Sequence, residues 1–381
     1  METKYFKQLD GFRFLSIVAV MLAHFADFEV IYRIPFGFGV MFFFVLSSFL
    51  ITRILLTSKN INETTGGNNF YSIKQFYIRR FLRIFPIYYL LIFAAFIINW
   101  YPCREIIVSL LTYTTNFKIA AGAKAGDFTH LWSLAVEEQF YIFFPFLVYF
   151  LNSKNVLKIS IAFIVLGLLG RMSLYLYNSE SAPFSAYNTI SCLDSLGIGS
   201  VLAYLSLYKV DFLKNVIGNK KLFWGSIVVF LGFMIFSYSI FPAKEGTNFT
   251  SVVFMRFFFN VMSFWILGWA ALFGYTGVMK LFLENRIVIY LGRISYGMYL
   301  YHFFVPGLLY RLFSFLKINT DILPSGTWTS SIGGILLYVI VTIIVSSISW
   351  YVIEKPMNGL KKYFDYNKKV VSNYSKKTIN I

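Results

Sequence analysis

The chain has 381 residues, of which 58% are hydrophobic, 21% aromatic and only 13% charged. A soluble domain carries roughly 25% charged residues, so this chain has too little polar surface to cover a water-soluble globule, and lipid is its expected solvent. A net charge of +17 would suggest nucleic acid in a soluble protein; here the basic residues gather in short loops and the tail, the positive-inside pattern of a membrane protein, and no nucleic-acid partner is expected.

The first residues, Met1 to Gln8, carry two lysines and precede an apolar run. That run holds Arg13 and His24 and no small-residue cleavage site follows, so it reads as an uncleaved first helix rather than a signal peptide. A spanning helix needs about 20 mostly apolar residues. Ten segments qualify: 14–32, 36–56, 84–100, 132–151, 157–177, 190–208, 222–241, 250–274, 295–316 and 328–353. The expected fold is all-α, a polytopic membrane protein of about ten transmembrane helices. Placing the N-terminus inside and alternating puts 24 Lys and Arg on the inner side, six outside and four within spans or at their edges. That bias predicts that both termini are cytoplasmic.

Between the second and third segments, the loop 53–83 has a flexible tip at 60–69. It returns as Tyr71-Ser-Ile-Lys-Gln-Phe-Tyr-Ile-Arg-Arg-Phe-Leu-Arg83, which predicts an amphipathic helix on the inner membrane surface. An outer loop, 101–131, has a semi-apolar part at 106–117. Pro356 is the expected stop of the last helix. Residues 1–358 form the expected membrane core, and 359–381 a basic cytoplasmic tail lying near lipid headgroups. No internal repeat is seen. Cys103 and Cys192 are too few for a disulfide framework, and Cys192 reads as a small packing residue.

Ionisable groups inside spans are costly and face a bundle interior or wet cavity. Arg13 and His24 are eleven residues apart, close to three helical turns, so they share a face about 16 Å apart along the axis. This places Arg13 near the inner surface and His24 near mid-membrane. A cation at the mouth and an imidazole deep inside suit an anionic cytoplasmic ligand whose reactive end reaches inward. The alternative is an anchoring Arg13 and a hydrogen-bonded core His24. In the fourth segment, Ser133, Glu137 and Tyr141 recur at i, i+4, i+8 on one face, beside Trp132 and the adjacent Glu138. Ser295, Tyr299 and His302 form a similar stripe in the ninth, and each stripe is open to a plain interhelical or interfacial reading. Asp194 is expected to pair with Arg171 or Arg256, with nothing to choose between them. No Walker loop, HExxH, GxSxG or CxxC is present, and no metal site is expected.

Leu9-Asp-Gly-Phe-Arg13 followed by His24 resembles the opening of membrane acyltransferase family 3, which includes bacterial enzymes that acetylate surface polysaccharides. Further resemblances follow in order: Gly39-Val-Met-Phe-Phe-Phe-Val-Leu-Ser-Ser-Phe-Leu50, Arg80-Phe-Leu-Arg-Ile-Phe-Pro86, Leu131-Trp-Ser-Leu-Ala-Val-Glu-Glu-Gln-Phe-Tyr141, Asp194 with Gly199, Ile294-Ser-Tyr-Gly-Met-Tyr-Leu-Tyr-His302, and Ile353-Glu-Lys-Pro356. Ser48 stands where the family usually has Gly, implying a looser backbone contact, and Cys192 where an Arg often precedes the Asp. The resemblance implies a multi-pass protein of a bacterial plasma (inner) membrane that transfers an acyl group, most often acetyl from acetyl-CoA, to a hydroxyl of a cell-surface or lipid-linked glycan. Acetyl-CoA is then a donor substrate and no cofactor is permanently bound; self-association stays open. Some members carry a soluble domain after the core; this sequence leaves no room for one, so transfer is expected to finish on the core. On the matching positions, His24 is expected as general base or transient acyl carrier, with Asp10 and Glu137 as further catalytic candidates. Arg13, Arg80 and Arg83 are expected to bind the CoA phosphates. Trp132, Ser133, Tyr141, Ser295, Tyr299 and His302 are expected to bind or orient the acceptor. The competing class is a secondary transporter or flippase for a glycan or lipid-linked precursor.

Overall fold

The computed structural model describes residues 5–27, 36–177, 187–240, 249–318, 329 and 331–366. Among these residues the chain is helices and turns with no strand. It opens with α1 (Lys7–Phe25), α2 (Gly39–Thr65) and α3 (Asn69–Ile97). Two short helices, α4 (Cys103–Leu111) and α5 (Thr115–Ala120), lead to α6 (Leu131–Phe150) and α7 (Ser153–Tyr177). Next come α8 (Leu193–Tyr208), α9 (Val210–Ile217), α10 (Lys220–Ile240) and α11 (Arg256–Leu272). Three short pieces, α12 (Gly277–Leu283), α13 (Arg286–Arg293) and α14 (Ser295–Tyr301), precede α15 (Phe304–Phe315) and α16 (Ile332–Ser349).

Among the described residues, eight helices are long and apolar enough to cross a membrane, and α9 with α10, bent by 60°, makes up to a ninth. The remaining expected span, 295–316, is split, because α14 ends at Tyr301 and α15 starts at Phe304. The break puts His302 at a helix junction.

Several boundaries differ from the sequence reading for physical reasons. The first span starts at Lys7 rather than 14 and ends at Phe25; residues 28–32 lie outside the described residues. Its polar opening is satisfied by neighbours: Gln8 Nε2 donates to Tyr275 O at 3.0 Å and to Glu284 at 2.9 Å. The loop tip expected at 60–69 shrinks to three residues. Gly66 ends α2 at φ +69°, a left-handed conformation that glycine adopts without strain. Asn68 then caps α3, its side chain accepting from Tyr71 N at 3.2 Å. The basic stretch 71–83 is therefore no separate surface helix but the first half of α3, which continues through Pro86 with Ile73 and Phe76 buried. Pro356 does not stop the last helix either. A π turn over Trp350–Glu354 widens the helix just before it, and Lys355–Gly359 continues the coil.

The deepest packing joins α2 to α8. A Cβ at Gly199 would lie 2.0 Å from Ser48 Oγ and 2.2 Å from Val45 O. Gly199 thus supplies the close approach, and the contact at Ser48 is tight rather than loose. A buried polar knot holds α7, α8 and α11 together, and it settles the pairing of Asp194. Arg171 donates to both carboxylate oxygens of Asp194 at 3.0 and 2.8 Å, and Asn260 adds a bond at 3.0 Å. Arg256 instead donates to Cys192 Sγ at 3.0 Å. Cys192 is therefore a hydrogen-bond acceptor as well as a packing residue.

Candidate active site

The helix order brings the two polar stripes face to face. Ser133, Glu137 and Tyr141 of α6 and Ser295 and Tyr299 of α14 line one cavity of about 110 Å³, together with Arg13, Arg80 and Arg83. Its walls are otherwise apolar, from Val40, Phe44 and Leu50 of α2 and Leu134 of α6. A second cavity of about 240 Å³ is lined by Asp10, Arg293, Trp350, Glu354 and Asn358. Arg13, Arg83 and Tyr296 line both, so the two meet at a pair of guanidinium groups.

Charge is distributed unevenly around this junction. Arg13 is ion-paired with Asp10, which also accepts from Tyr5 and has Arg293 Nε at 3.9 Å. Arg80 lies over the rings of Tyr141 and Phe76, at 5.0 and 5.6 Å. Neither Arg80 nor Arg83 forms an ion pair among the described residues. Glu137 accepts from Ser47 Oγ at 2.5 Å in the cavity wall, whereas the neighbouring Glu138 points away and has a buried Oε1 without a partner among the described residues.

The cavity closes at Ser133 and Tyr299. The Tyr299 hydroxyl donates to His130 O at 2.6 Å and meets Ser133 Oγ at 2.5 Å. Directly behind this partition the three histidines of the chain converge. The His130 and His302 ring centroids are 5.0 Å apart, and those of His24 and His302 are 5.1 Å apart. His24 Nδ1 lies 3.0 Å from His302 Nε2, and His302 Nδ1 lies 2.7 Å from Tyr299 O. A carbonyl only accepts, so His302 Nδ1 carries the proton, and in the neutral ring Nε2 is the acceptor. His24 must then donate from Nδ1. Its Nε2 is left with a free lone pair and no partner among the described residues. Despite this convergence, no group of three or more His, Cys, Asp or Glu among the described residues is arranged to hold a metal ion.

Four of the expected site residues, His24, Asp10, Trp132 and His302, do not line the first cavity. His24 occupies the last turn of α1. Asp10 is fourteen residues before it, about 21 Å along the axis, so the two cannot act on one atom; Asp10 is a counter-ion to arginines. Trp132 stands outside the cavity, packed edge-on against Phe44 at 5.9 Å and beside Tyr187 at 4.9 Å. His302 keeps helical dihedrals, φ −57° and ψ −37°, and packs beside Tyr299 with ring centroids 5.5 Å apart, behind the partition, where it meets His24. The sequence reading missed His130, Ser47, Tyr296 and Arg293; His130, as one of only three histidines, was the one with a visible signal.

The sequence profile described as an acyltransferase domain matches residues 6–351. The chain is similar to the peptidoglycan O-acetyltransferase OatA of Listeria monocytogenes, with 28% identity over 95% of this chain and 57% of that protein. It is also similar to the putative peptidoglycan O-acetyltransferase YrhL of Bacillus subtilis, with 30% identity over 93% of this chain and 55% of that protein. Putative O-acetyltransferases of Staphylococcus aureus share 27% identity over 82% of this chain and 52% of their own length. The chain thus spans about half the length of the curated relatives it matches. No solved structure matches. With the profile covering nearly every helix that builds the cavity and the histidine layer, this polytopic helical chain belongs to the acyltransferase domain family.

Proposed function

We infer that the chain transfers an acetyl group from acetyl-CoA to a hydroxyl of a glycan at the membrane. The names of its relatives make a peptidoglycan sugar the first acceptor to test. The observation that carries this reading is the polar path from Arg83 to His24. Arg80 and Arg83, in no ion pair among the described residues, stand where a narrow, apolar-walled cavity begins. The cavity leads to the partition of Ser133 and Tyr299, and beyond it lies an imidazole nitrogen with a free lone pair. Phosphates would pair with Arg13, Arg80 and Arg83 by charge-assisted hydrogen bonds. A cavity this narrow suits the acyl-bearing arm of the donor rather than its nucleotide, which would remain in the wider space beside Arg293 and Trp350. The charge bias of the loops favours placing that wider space on the cytoplasmic side.

In the chemical step His24 Nε2 takes the proton of the acceptor hydroxyl while its oxygen attacks the thioester carbonyl. The carbon–sulfur bond breaks, and the CoA thiolate leaves and receives the proton from the imidazolium. His302 keeps the ring of His24 in the required tautomer, and the positive charge formed on His24 is shared along the Nδ1 bond. The test is transfer of labelled acetyl from acetyl-CoA in membranes holding His24→Ala. The expected loss is roughly a hundred- to ten-thousand-fold in rate, the usual weight of a general base, with the protein still inserted. Undiminished labelling would remove His24 from the reaction.

A further inference from the structure

A second cluster of polar side chains lies at the end of the bundle opposite the arginines. Arg83 and the end of α3 at Ile97 are separated by fourteen residues, about 21 Å along the helix, and Trp100 follows just after. Its indole Nε1 donates to Asp127 Oδ2 at 2.8 Å. Arg311 of α15 lays its guanidinium over the same indole, with Cζ 4.2 Å from the ring centroid. Asp127 and Arg311 therefore meet one ring, by its edge and by its face, yet neither belongs to an ion pair among the described residues. Asp127 is half-buried and Arg311 exposed, while Trp100 between them is buried.

Two features hold the three in place. Gly307 on α15 faces the indole, where a Cβ would lie 2.8 Å from Trp100 Cζ2 and 3.6 Å from Asp127 Oδ2, so the close approach of α15 depends on that residue. Phe304 packs on Trp100 at 5.7 Å and on Phe128 at 5.0 Å, and it also touches His130 at 5.8 Å. The cluster is thus one aromatic layer from the histidines: Asp127 precedes His130 by three residues, and Phe303, next to Phe304, meets both His130 and His24.

We propose that Asp127 and Arg311, positioned by Trp100, form the seat of a sugar unit of the acceptor glycan. Asp127 Oδ1, which accepts no hydrogen bond among the described residues, is left to accept from sugar hydroxyls. The Arg311 guanidinium, in no ion pair among the described residues, donates to ring, amide or carboxylate oxygens of the same unit. A seat beside the histidines and remote from the arginines lets acceptor and donor approach the reacting atoms from opposite ends. This assignment rests on the acyl-transfer reading for its purpose, but its test is a binding measurement that does not need turnover.

The probe is a soluble, uncrosslinked peptidoglycan glycan strand, titrated against the detergent-purified full chain, with acetyl-CoA titrated in parallel. Asp127→Asn and Arg311→Gln should each weaken strand binding roughly ten- to a hundred-fold, the range for losing a hydrogen bond to a charged group. Acetyl-CoA affinity should stay at the wild-type level, showing that the variants are folded. Trp100→Phe keeps an aromatic face for Arg311 while removing the donor to Asp127, and should give a smaller loss of the same kind. Strand binding equal in wild type and variants, absent from the wild type, or lost only together with acetyl-CoA affinity would overturn the proposal. A wild type that binds the strand but transfers no acetyl would instead count against the acyl-transfer reading and leave the seat standing.

Discussion

The bundle buries arginines in two ways, and the contrast separates structure from function. Arg171 is fully buried and charge-paired: it makes a two-pronged pair with Asp194 and donates to Ser191 O and Val253 O at 2.7 and 3.2 Å. Arg80 and Arg83 are half-buried, line a cavity, and have rings or open space where Arg171 has a carboxylate. Leaving a charge without a counter-ion in a low-dielectric setting is costly. A fold that neutralises Arg171 with Asp194 and leaves Arg80 and Arg83 outside any ion pair among the described residues has the charge there that the proposed donor would need.

The comparison can be broken at either end. The largest expected effect is on stability. Arg171→Ala strands the buried Asp194 and should cost roughly 3–5 kcal/mol, read as a loss of monodisperse protein and a lower unfolding midpoint in detergent. A double replacement, Arg171→Met with Asp194→Leu, removes both charges and should recover much of that loss. If the single variant were as stable as wild type, the knot would not be the structural element described here. Arg83→Gln should do the reverse: unfolding unchanged, but acetyl-CoA binding weakened roughly ten- to a hundred-fold. His302→Ala removes the acceptor for His24 Nδ1–H and should lower the acetyl-transfer rate while leaving acetyl-CoA affinity intact; an unchanged rate would show that the tautomer is held in some other way. The smallest effect belongs to the exposed pair of Lys214 and Asp211, 3.7 Å apart. Asp211→Asn should change stability by no more than about 0.5 kcal/mol, which calibrates the scale.

The same contrast shows what was legible in the sequence. Periodicity sufficed for the stripes of Ser133, Glu137 and Tyr141 and of Ser295 and Tyr299, because residues one turn apart on a helix share a face whatever surrounds them. It sufficed for the shared face of Arg13 and His24 too. It put the start of the first span at 14 rather than Lys7, because Gln8, Asp10 and Arg13 lower the local hydropathy, and within α1 Tyr275, Glu284 and one another satisfy them. His130 became part of the site only through a contact made 172 residues away in sequence, with His302. The choice between Arg171 and Arg256 for Asp194 was likewise a matter of tertiary packing, which a periodic pattern does not encode.

The central claim is that the cavity beginning at Arg80 and Arg83 admits the acyl donor. Titrating acetyl-CoA into the purified full chain, as wild type, Arg83→Gln and the Arg171→Met/Asp194→Leu double variant, tests it most directly. The account predicts that Arg83→Gln binds roughly ten- to a hundred-fold more weakly and that the double variant, once folded, binds as wild type does. Equal affinity in wild type and Arg83→Gln would contradict it.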